Sequence, residues 1–214
     1  MKKKISILLE ITLFLLIIYS INRLFIEDKK IYQNKDFNIK NYISVVDYDN
    51  DGIDDQSDIL KGALEYIKTK PKYKSKYYST GYPLDNYGVC TDVVAKALKS
   101  AGYDLMELVY QDISSNKKEY DIDKIDKNID FRRVKNLIIY FKRNTISLTT
   151  DISKIDKWQG GDIVIFKKHI GVVSNKRNKF GVPYIIHHER PYQLHYEEDI
   201  LGTRSDIVGH YRIS

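Results

Sequence analysis

The spacing of apolar residues changes once along the chain, and this change constrains the fold more than any other feature. Before about residue 145 the apolar residues recur every three or four positions, which is typical of amphipathic helices. After Trp158 they form short β-branched runs separated by turns rich in Gly, Asn and Lys. The predicted helices are 59–67, 90–101, 105–113 and 131–142, and the predicted strands are 162–166, 169–174, 184–188 and 207–213. Helices followed by strands predict an α+β fold, with N-terminal helices packed on a small antiparallel sheet.

The N-terminus predicts a transmembrane helix that acts as a signal-anchor. Three lysines precede an apolar segment, residues 5–26, that reaches the roughly 20 residues needed to span a bilayer. Lysines before such a segment orient the N-terminus toward the cytoplasm, and the segment is followed by no small-x-small cleavage pattern. We therefore expect a single-pass membrane protein whose C-terminal domain lies outside the cytoplasm. The expected divisions are 1–26 for the lysine cluster and anchor, 27–46 for a polar tether, 47–58 for an acidic loop and 59–214 for the main domain.

Charge and cysteine content exclude several classes of protein. The net charge is +6, but residues 1–30 hold six Lys or Arg against three acidic residues, so half of the excess lies in the tail. The remaining domain is only mildly basic, and no nucleic-acid partner is expected. The single cysteine excludes an intramolecular disulfide and a Cys-based zinc site. We expect a monomer.

The acidic loop has the layout of an EF-hand-type calcium loop. Its carboxylates fall at loop positions 1, 3, 5, 9 and 12, and Gly52 stands at position 6 where the chain must turn sharply. The candidate ligands are Asp47, Asp49, Asp51, Asp55 and Asp58. The spacing also resembles the calcium-binding loops of thrombospondin type 3 repeats. The alternative is an acidic turn that only caps the following helix, so a structural calcium ion stays open at this point.

Three residues have the pattern of a thiol-based catalytic centre. Cys90 begins a predicted helix, where unpaired N–H groups favour an anion and thus a thiolate. His169 begins a predicted strand and could act as the general base for the thiol. His187, eighteen positions later on the expected neighbouring strand, could orient the His169 ring. Because side chains alternate along a strand, only one of His187 and His188 can face the centre.

These residues lie in motifs that resemble known families. The stretches Gly161–Phe166, His169–Val173 and Ile186-His187 resemble the core signature of the NlpC/P60 cysteine peptidases and amidases. More closely, residues 77–213 resemble the DUF1287 family. The stretches that match this family are Gly88–Val94, Asn128–Leu137, Gly161–Phe166, His169–Ser174, Ile186-His187 and Gly209–Arg212. Two positions depart from that family: His188 stands where Asn is usual, and Phe131 stands where His is frequent.

The resemblance implies a papain-like fold and thiol-dependent cleavage of an amide bond, with peptidoglycan peptides as the expected substrate. Cys90 would be the nucleophile, His169 the base and His187 the orienting residue, and catalysis would need no cofactor. The candidate substrate-binding residues are Arg132, Arg133 and His188. The two arginines could bind a substrate carboxylate bidentately, or they could pair with neighbouring acids such as Asp130.

Two other functions remain compatible with the same sequence. A papain-like groove could bind a cell-wall peptide or a protein without cutting it, in which case Cys90 need not ionise. A similar thiol site close to a membrane could instead transfer an acyl group to or from a lipid.

Overall fold

The structure is a computed structural model that describes residues 11–17 and 30–214 and divides into two units, residues 1–31 and 32–214. Residues 11–17 form a helical segment whose apolar side chains are exposed. Across the described ranges, no helix is both long and apolar enough to cross a membrane. Most of the predicted membrane segment, residues 5–26, lies outside the described residues.

Five helices precede the main strands of the second unit. They are α1 (Asp55–Lys68), α2 (Cys90–Ser100), α3 (Leu105–Asn116), α4 (Lys127–Asp130) and α5 (Val134–Asn144). Asp54 and Asp104 cap the first turns of α1 and α3 by accepting hydrogen bonds from backbone N–H groups. Each predicted helical segment overlaps one of these helices.

One helix prediction was wrong in its extent. The continuous helix predicted over 131–142 begins only at Val134, because Arg133 is extended, with φ −105° and ψ 114°. The side-chain amide of Asn136 donates to the backbone carbonyl of Asp130, so it satisfies a group at the end of α4. The guanidinium of Arg132 meanwhile turns toward α2, and the chain changes direction between α4 and α5.

The strands form a seven-stranded sheet and a separate two-stranded pair. The strands are β1 (Tyr32–Gln33), β2 (Lys72–Tyr73), β3 (Tyr87–Gly88), β4 (Ile146–Ser147), β5 (Ile163–Phe166), β6 (His169–Arg177), β7 (Pro183–Ile186), β8 (Glu197–Glu198) and β9 (Ile207–Arg212). The large sheet has the order β4-β9-β5-β6-β7-β8, with β1 paired to β6, and every pairing in it is antiparallel. The predicted combination of helices and an antiparallel sheet is confirmed.

Both faces of the sheet are buried, which explains the uninterrupted apolar run in β5. Ile163 and Ile165 pack in the larger core with α2 and its neighbouring helices. Val164 and Phe166 pack on the opposite face around Trp158. A strand that is covered on both sides has no solvent-facing positions, so it loses the polar alternation of a half-exposed strand.

Candidate functional site

Two strand pairings bring His169 and His187 together. β5 and β6 form a hairpin in which Phe166 pairs with His169, so His169 lies at the end of the pair. The register of β6 and β7 continues to place His187, directly after β7, across from Gly171. A Cβ atom at Gly171 would lie 3.3 Å from the His187 Cβ and closer still to β7. Glycine therefore permits the close approach that aligns the two histidines.

A chain of hydrogen bonds joins the two rings to a carboxylate. His169 Nε2 lies 3.0 Å from His187 Nδ1, and His187 Nε2 lies 3.1 Å from Oε2 of Glu198 on β8. The ionised Glu198 can only accept, so His187 Nε2 carries the proton and donates. Nδ1 of a neutral His187 then accepts from His169 Nε2–H. This arrangement leaves the lone pair of a neutral His169 on Nδ1, where a base is needed.

Burial keeps both histidines neutral near neutral pH. Their exposed fractions are 3% for His169 and 0% for His187. Burial lowers the pKa of both residues well below the ordinary value of 6.5, because a buried imidazolium loses its hydration. For His187 the positive charge of a protonated His169 lowers the pKa further. Neutral imidazoles can accept a proton during a reaction.

Cys90 is the first residue of α2 and packs beside the beginning of β6. Burial raises the pKa of its thiol to about 11, although the backbone N–H groups of Ile170 and Thr91 act in the opposite direction. The helix N-terminus therefore does not make the resting residue a thiolate, as its position in the sequence had suggested. Desolvation outweighs the N–H groups, and the resting sulfur is a neutral thiol.

Cys90 and His169, both in the described part of the chain, share no hydrogen bond. Ile170, whose N–H faces the sulfur, directly follows His169. The negative charge of Glu189 acts on both the Cys90 thiol and the His169 ring. Catalytic hydrogen bonds are often long without substrate and shorten when it binds.

Charged residues surround the histidine pair on one side. Glu189 follows the two histidines in sequence and accepts a hydrogen bond of 2.9 Å from Arg204 Nη1. Burial alone would raise the Glu189 pKa, but the Arg204 hydrogen bond and nearby charges hold it below its usual value. Arg204 also forms a bidentate pair with Asp206 and stacks 4.4 Å above the Phe166 ring. Arg204 is therefore held by three neighbours and fixes Glu189 beside the site.

Arg132 is used inside the protein and is not available to a substrate. Its Nε and Nη2 each lie 2.8 Å from an oxygen of Asp92 in α2, and Nη1 donates to the Lys76 carbonyl. Both side chains of the pair are almost fully buried. Asp92 also accepts from the Val89 N–H at the start of α2. The expectation that Arg132 binds a substrate carboxylate is thus corrected: this pair braces the helix turn that carries Cys90.

Arg133 lies in a different part of the surface. Its side chain is 46% exposed, and Nη1 is 3.8 Å from Oδ1 of Asp130. It lines a cleft of about 660 Å³ together with Tyr110 and Lys124. None of the residues that line this cleft belongs to the chain of histidines, so the structure does not bring Arg133 to the catalytic candidates.

His188 faces away from the hydrogen-bonded chain, as strand alternation predicts for one of the two adjacent histidines. Its ring packs edge-on against Tyr73 and Tyr196, with centroid separations of 5.3 Å and 5.0 Å. It is 1% exposed, and its buried Nδ1 has no hydrogen-bond partner among the described residues. Burial lowers its pKa to about 4. His188 is thus a neutral packing residue behind the site.

One group of side chains at the site could hold a metal ion. His169, His187 and Glu189 each offer a ligand atom, and these atoms lie within 4.8 Å of one another. Two histidines and a carboxylate are a common donor set for zinc or iron. An ion bound to the two nitrogens that face each other, His169 Nε2 and His187 Nδ1, would replace the hydrogen bond between the rings. The thiol and metal chemistries are therefore distinguishable alternatives for the same residues.

A second histidine–carboxylate group lies elsewhere on the sheet. Asp162, just before β5, accepts hydrogen bonds from Gln56, Gln159, His210 and Arg212 at 2.8–2.9 Å. The other ring nitrogen of His210 lies 2.7 Å from the Thr149 carbonyl. This group ties α1 and β9 to the loop before β5, and each of its ring nitrogens has a partner.

Sequence motifs did not identify three residues of the site. Glu198, Glu189 and Arg204 lie in segments without a recognisable pattern, and only strand pairing brings Glu198 opposite Ile185 on β7. The signal that could have found Glu198 is the pair Glu197-Glu198 placed about ten residues after the two histidines, at hairpin distance. Glu197 itself points the other way and binds Ser174 and Lys176.

Comparisons with known proteins identify relatives at the level of sequence. The family model described as "Domain of unknown function (DUF1287)" matches residues 60–213. The uncharacterized protein YijF of Escherichia coli (strain K12) is 37% identical over 167 residues, which make up 72% of this chain and 80% of that protein. No solved structure matches the chain.

Proposed function

The chain belongs to the DUF1287 family, and we propose that it is a membrane-anchored thiol hydrolase that cleaves an amide bond in cell-wall peptides. The observation that carries the proposal is the chain of hydrogen bonds from His169 through His187 to Glu198. The residue after His169, Ile170, directs its N–H at the sulfur of the free Cys90. Its order matches the nucleophile, base and orienting group of cysteine hydrolases. The resemblance to NlpC/P60 enzymes belongs to this proposal, as does the papain-like description of the fold.

The first chemical step forms a thioester. Cys90 Sγ attacks the amide carbonyl carbon while its proton passes to Nδ1 of His169. His169 then gives this proton to the leaving amine, and the C–N bond breaks. The Cys90 backbone N–H at the start of α2 would donate to the carbonyl oxygen as negative charge develops there.

The second step returns the enzyme to its resting state. Water attacks the thioester carbonyl and loses a proton to His169 Nδ1. That proton restores the Cys90 thiol as the C–S bond breaks, and the carboxylic acid product releases its own proton to solvent. In both steps His169 is transiently an imidazolium. His187 accepts its Nε2–H hydrogen bond, and Glu198 supplies the negative charge at the other end of the chain.

The high pKa of the resting thiol affects how this mechanism operates. Because burial favours the neutral forms of Cys90 and His169, the ion pair is not stored in the free enzyme. Proton transfer instead accompanies nucleophilic attack, when a substrate brings the two groups together. The proposal therefore differs from enzymes in which a thiolate and an imidazolium exist before substrate binds.

The proposed location rests on the N-terminal sequence. The lysine cluster and the apolar segment 5–26 are the features expected of an anchor with a cytoplasmic N-terminus. A domain outside the cytoplasm would face peptidoglycan, whose peptides contain amide bonds of the required kind.

Mass spectrometry of peptidoglycan peptides after incubation with the full-length protein tests the function. We expect cleavage that falls at least about 10³-fold in Cys90→Ala, whereas Asp121→Asn, a change at a fully exposed side chain, retains activity. Fragments that bind equally to the wild-type protein and Cys90→Ala but are never cut would support the binding-module alternative and contradict the proposal.

A chelator distinguishes the thiol from the metal alternative. The proposed hydrolase keeps its activity in EDTA and loses it on treatment with iodoacetamide. The opposite result, with a fully active Cys90→Ala that EDTA inhibits, would transfer the chemistry to a metal on His169, His187 and Glu189.

A further inference from the structure

The loop before α1 brings three carboxylates together. Ligand oxygens of Asp47, Asp49 and Asp51 lie within 4.8 Å of one another. Oxygens on opposite sides of a calcium ion are separated by about 4.8 Å, since each Ca–O distance is about 2.4 Å. The three side chains are therefore spaced to share one ion of this size.

The loop is already folded into the shape that this convergence needs. Asp47 accepts hydrogen bonds from the N–H groups of Asp51 and Gly52, at 3.2 Å and 2.9 Å. Gly52 has a φ of +91°, which L side chains rarely adopt. Each carboxylate oxygen of Asp47 has a second lone pair that remains available to a cation.

Asp58 provides an independent observation from the first turn of α1. Its side chain is buried, with a residue exposure of 3%, and its Oδ2 has no hydrogen-bond partner in the described part of the chain. It lines the same cleft as Asp51. Burial raises the pKa of Asp58, and the negative charges of Asp51, Asp49 and Asp47 raise it further. Asp58 is therefore close enough to feel all three, although its oxygens lie outside the group within 4.8 Å. A buried carboxylate with no donor is unfavourable unless a cation compensates it.

We propose that Asp47, Asp49, Asp51 and Asp58 bind one calcium ion. These residues occupy positions 1, 3, 5 and 12 of the EF-hand layout, in which the backbone carbonyl of position 7, here Ile53, is a further ligand. An all-oxygen set with four carboxylates favours a hard cation over zinc or copper.

Asp55, the fifth ligand expected from the sequence, is left out of the proposed set because its side chain is bound to Tyr103 outside the loop. Its Oδ1 accepts from the Tyr48 N–H at 2.8 Å, and its Oδ2 accepts from the Tyr103 hydroxyl at 2.5 Å. Tyr48 also stacks on Tyr103, with ring centroids 4.4 Å apart. Asp55 therefore anchors the loop to Tyr103, after α2. Asp58, at position 12, is the proposed ligand from α1.

The ion would fasten the segment that leads into the domain. Asp47, Asp49 and Asp51 precede α1, and Asp58 lies within it, so one ion joins the two. Gln56 of the same helix donates to Asp162 and to the Gly160 carbonyl, next to the sheet. Calcium thus stabilises the attachment of the predicted tether to the folded domain, and the chemistry at Cys90 does not depend on it.

Isothermal calorimetry and thermal unfolding of the EDTA-treated full-length protein in detergent test this site. Titration with CaCl₂ should reveal one ion per chain, with a Kd between about 10⁻⁶ and 10⁻³ M. The unfolding midpoint should rise with calcium concentration, because the ion binds only the folded state. Absence of both heat and a midpoint shift at about 10 mM calcium would overturn the proposal.

If Asp58 binds calcium, Asp58→Asn should change the unfolding temperature in opposite directions without and with the ion. Replacement of an aspartate with only a structural role would not do so. Without calcium it should unfold at a higher temperature than the wild type, since it removes repulsion among four carboxylates. With calcium it should bind at least about tenfold more weakly and lose most of the calcium-dependent rise. Asp121→Asn, at a fully exposed acid, should match the wild type in both measurements. Wild-type calcium affinity in Asp58→Asn would overturn the assignment.

Discussion

Two histidine–carboxylate groups lie on the same sheet, but they differ in whether every ring nitrogen has a hydrogen-bond partner. Both ring nitrogens of His210 have a hydrogen-bond partner, the Thr149 carbonyl and the Asp162 carboxylate. The His210 ring also stacks on Trp158, with ring centroids 3.8 Å apart. In the chain that begins at His169, the donors run toward Glu198 and leave Nδ1 of His169 without a proton or a partner among the described residues.

The group around Asp162 has a structural role, whereas we propose a catalytic role for the chain that begins at His169. In the Asp162 group both ring nitrogens of His210 have partners within the protein, and the group joins α1, β5 and β9. In the His169 chain, by contrast, Nδ1 of His169 has no hydrogen-bond partner among the described residues. Under the proposed mechanism this nitrogen accepts the thiol proton.

Alanine replacement of one histidine from each group, His169 or His210, should give the largest difference between the groups in activity and stability. His169→Ala should lower kcat/KM on cell-wall peptides by about 10²–10⁴-fold, the usual contribution of a general base, and should change stability little. His210→Ala should leave the activity per folded molecule unchanged but destabilise the protein by about 2–3 kcal/mol, because Asp162 and Thr149 lose a donor. Peptide-cleavage kinetics and urea unfolding provide both measurements. Equal activity losses in both variants would remove the distinction.

Replacing the carboxylate of each group by an amide should lower the free energy of unfolding by different amounts. Asp162→Asn should cost about 3–5 kcal/mol of unfolding free energy, since it leaves the largely buried Arg212 charge without its partner and weakens the hydrogen bond to His210. Glu198→Gln should cost about 1 kcal/mol or less, because Glu198 is partly exposed and its other contact is the exposed Arg190. Denaturant unfolding at neutral pH measures both. Similar losses of stability in the two variants would contradict this account.

Acid pH should lower the stability of the protein, because the histidines of the site are neutral when folded. This effect should be smaller than those of the substitutions above. Burial lowers the pKa of His188 from the ordinary 6.5 to about 4, and the pKa values of His169 and His187 are lowered too. Between these values the unfolded chain binds protons that the folded protein does not, so stability is complete above pH 6.5 and falls as pH decreases toward 4.

The matched variant for this prediction is His188→Asn. It should reduce the proton uptake on unfolding by about one proton between pH 6 and pH 4.5, and so flatten the fall in stability. Unfolding free energies measured across this range give the uptake. An unchanged slope would show that His188 is already protonated in the folded protein.

The sequence predicted the helices, the antiparallel sheet and the neighbourhood of His169 and His187, because these depend on local periodicity. It did not predict Glu198, since that contact depends on the register of a two-residue strand. It left open whether Arg132 binds a substrate or pairs with an acid, and it did not identify the partner Asp92, which is 40 residues away. The ionisation of Cys90 was unpredictable for a physical reason: helix position favours a thiolate, and only the folded packing shows that desolvation outweighs it.

The rate of Cys90 alkylation by iodoacetamide as a function of pH tests the central claim, that His169 acts as a base on this thiol. In the wild-type protein we expect a rate plateau between about pH 5 and pH 8, where neutral His169 can accept the thiol proton. In His169→Ala the plateau should disappear, and the rate should rise only as the thiol itself ionises well above pH 8. Identical profiles in the two proteins would show that the thiol and the histidine act independently, and would contradict the account.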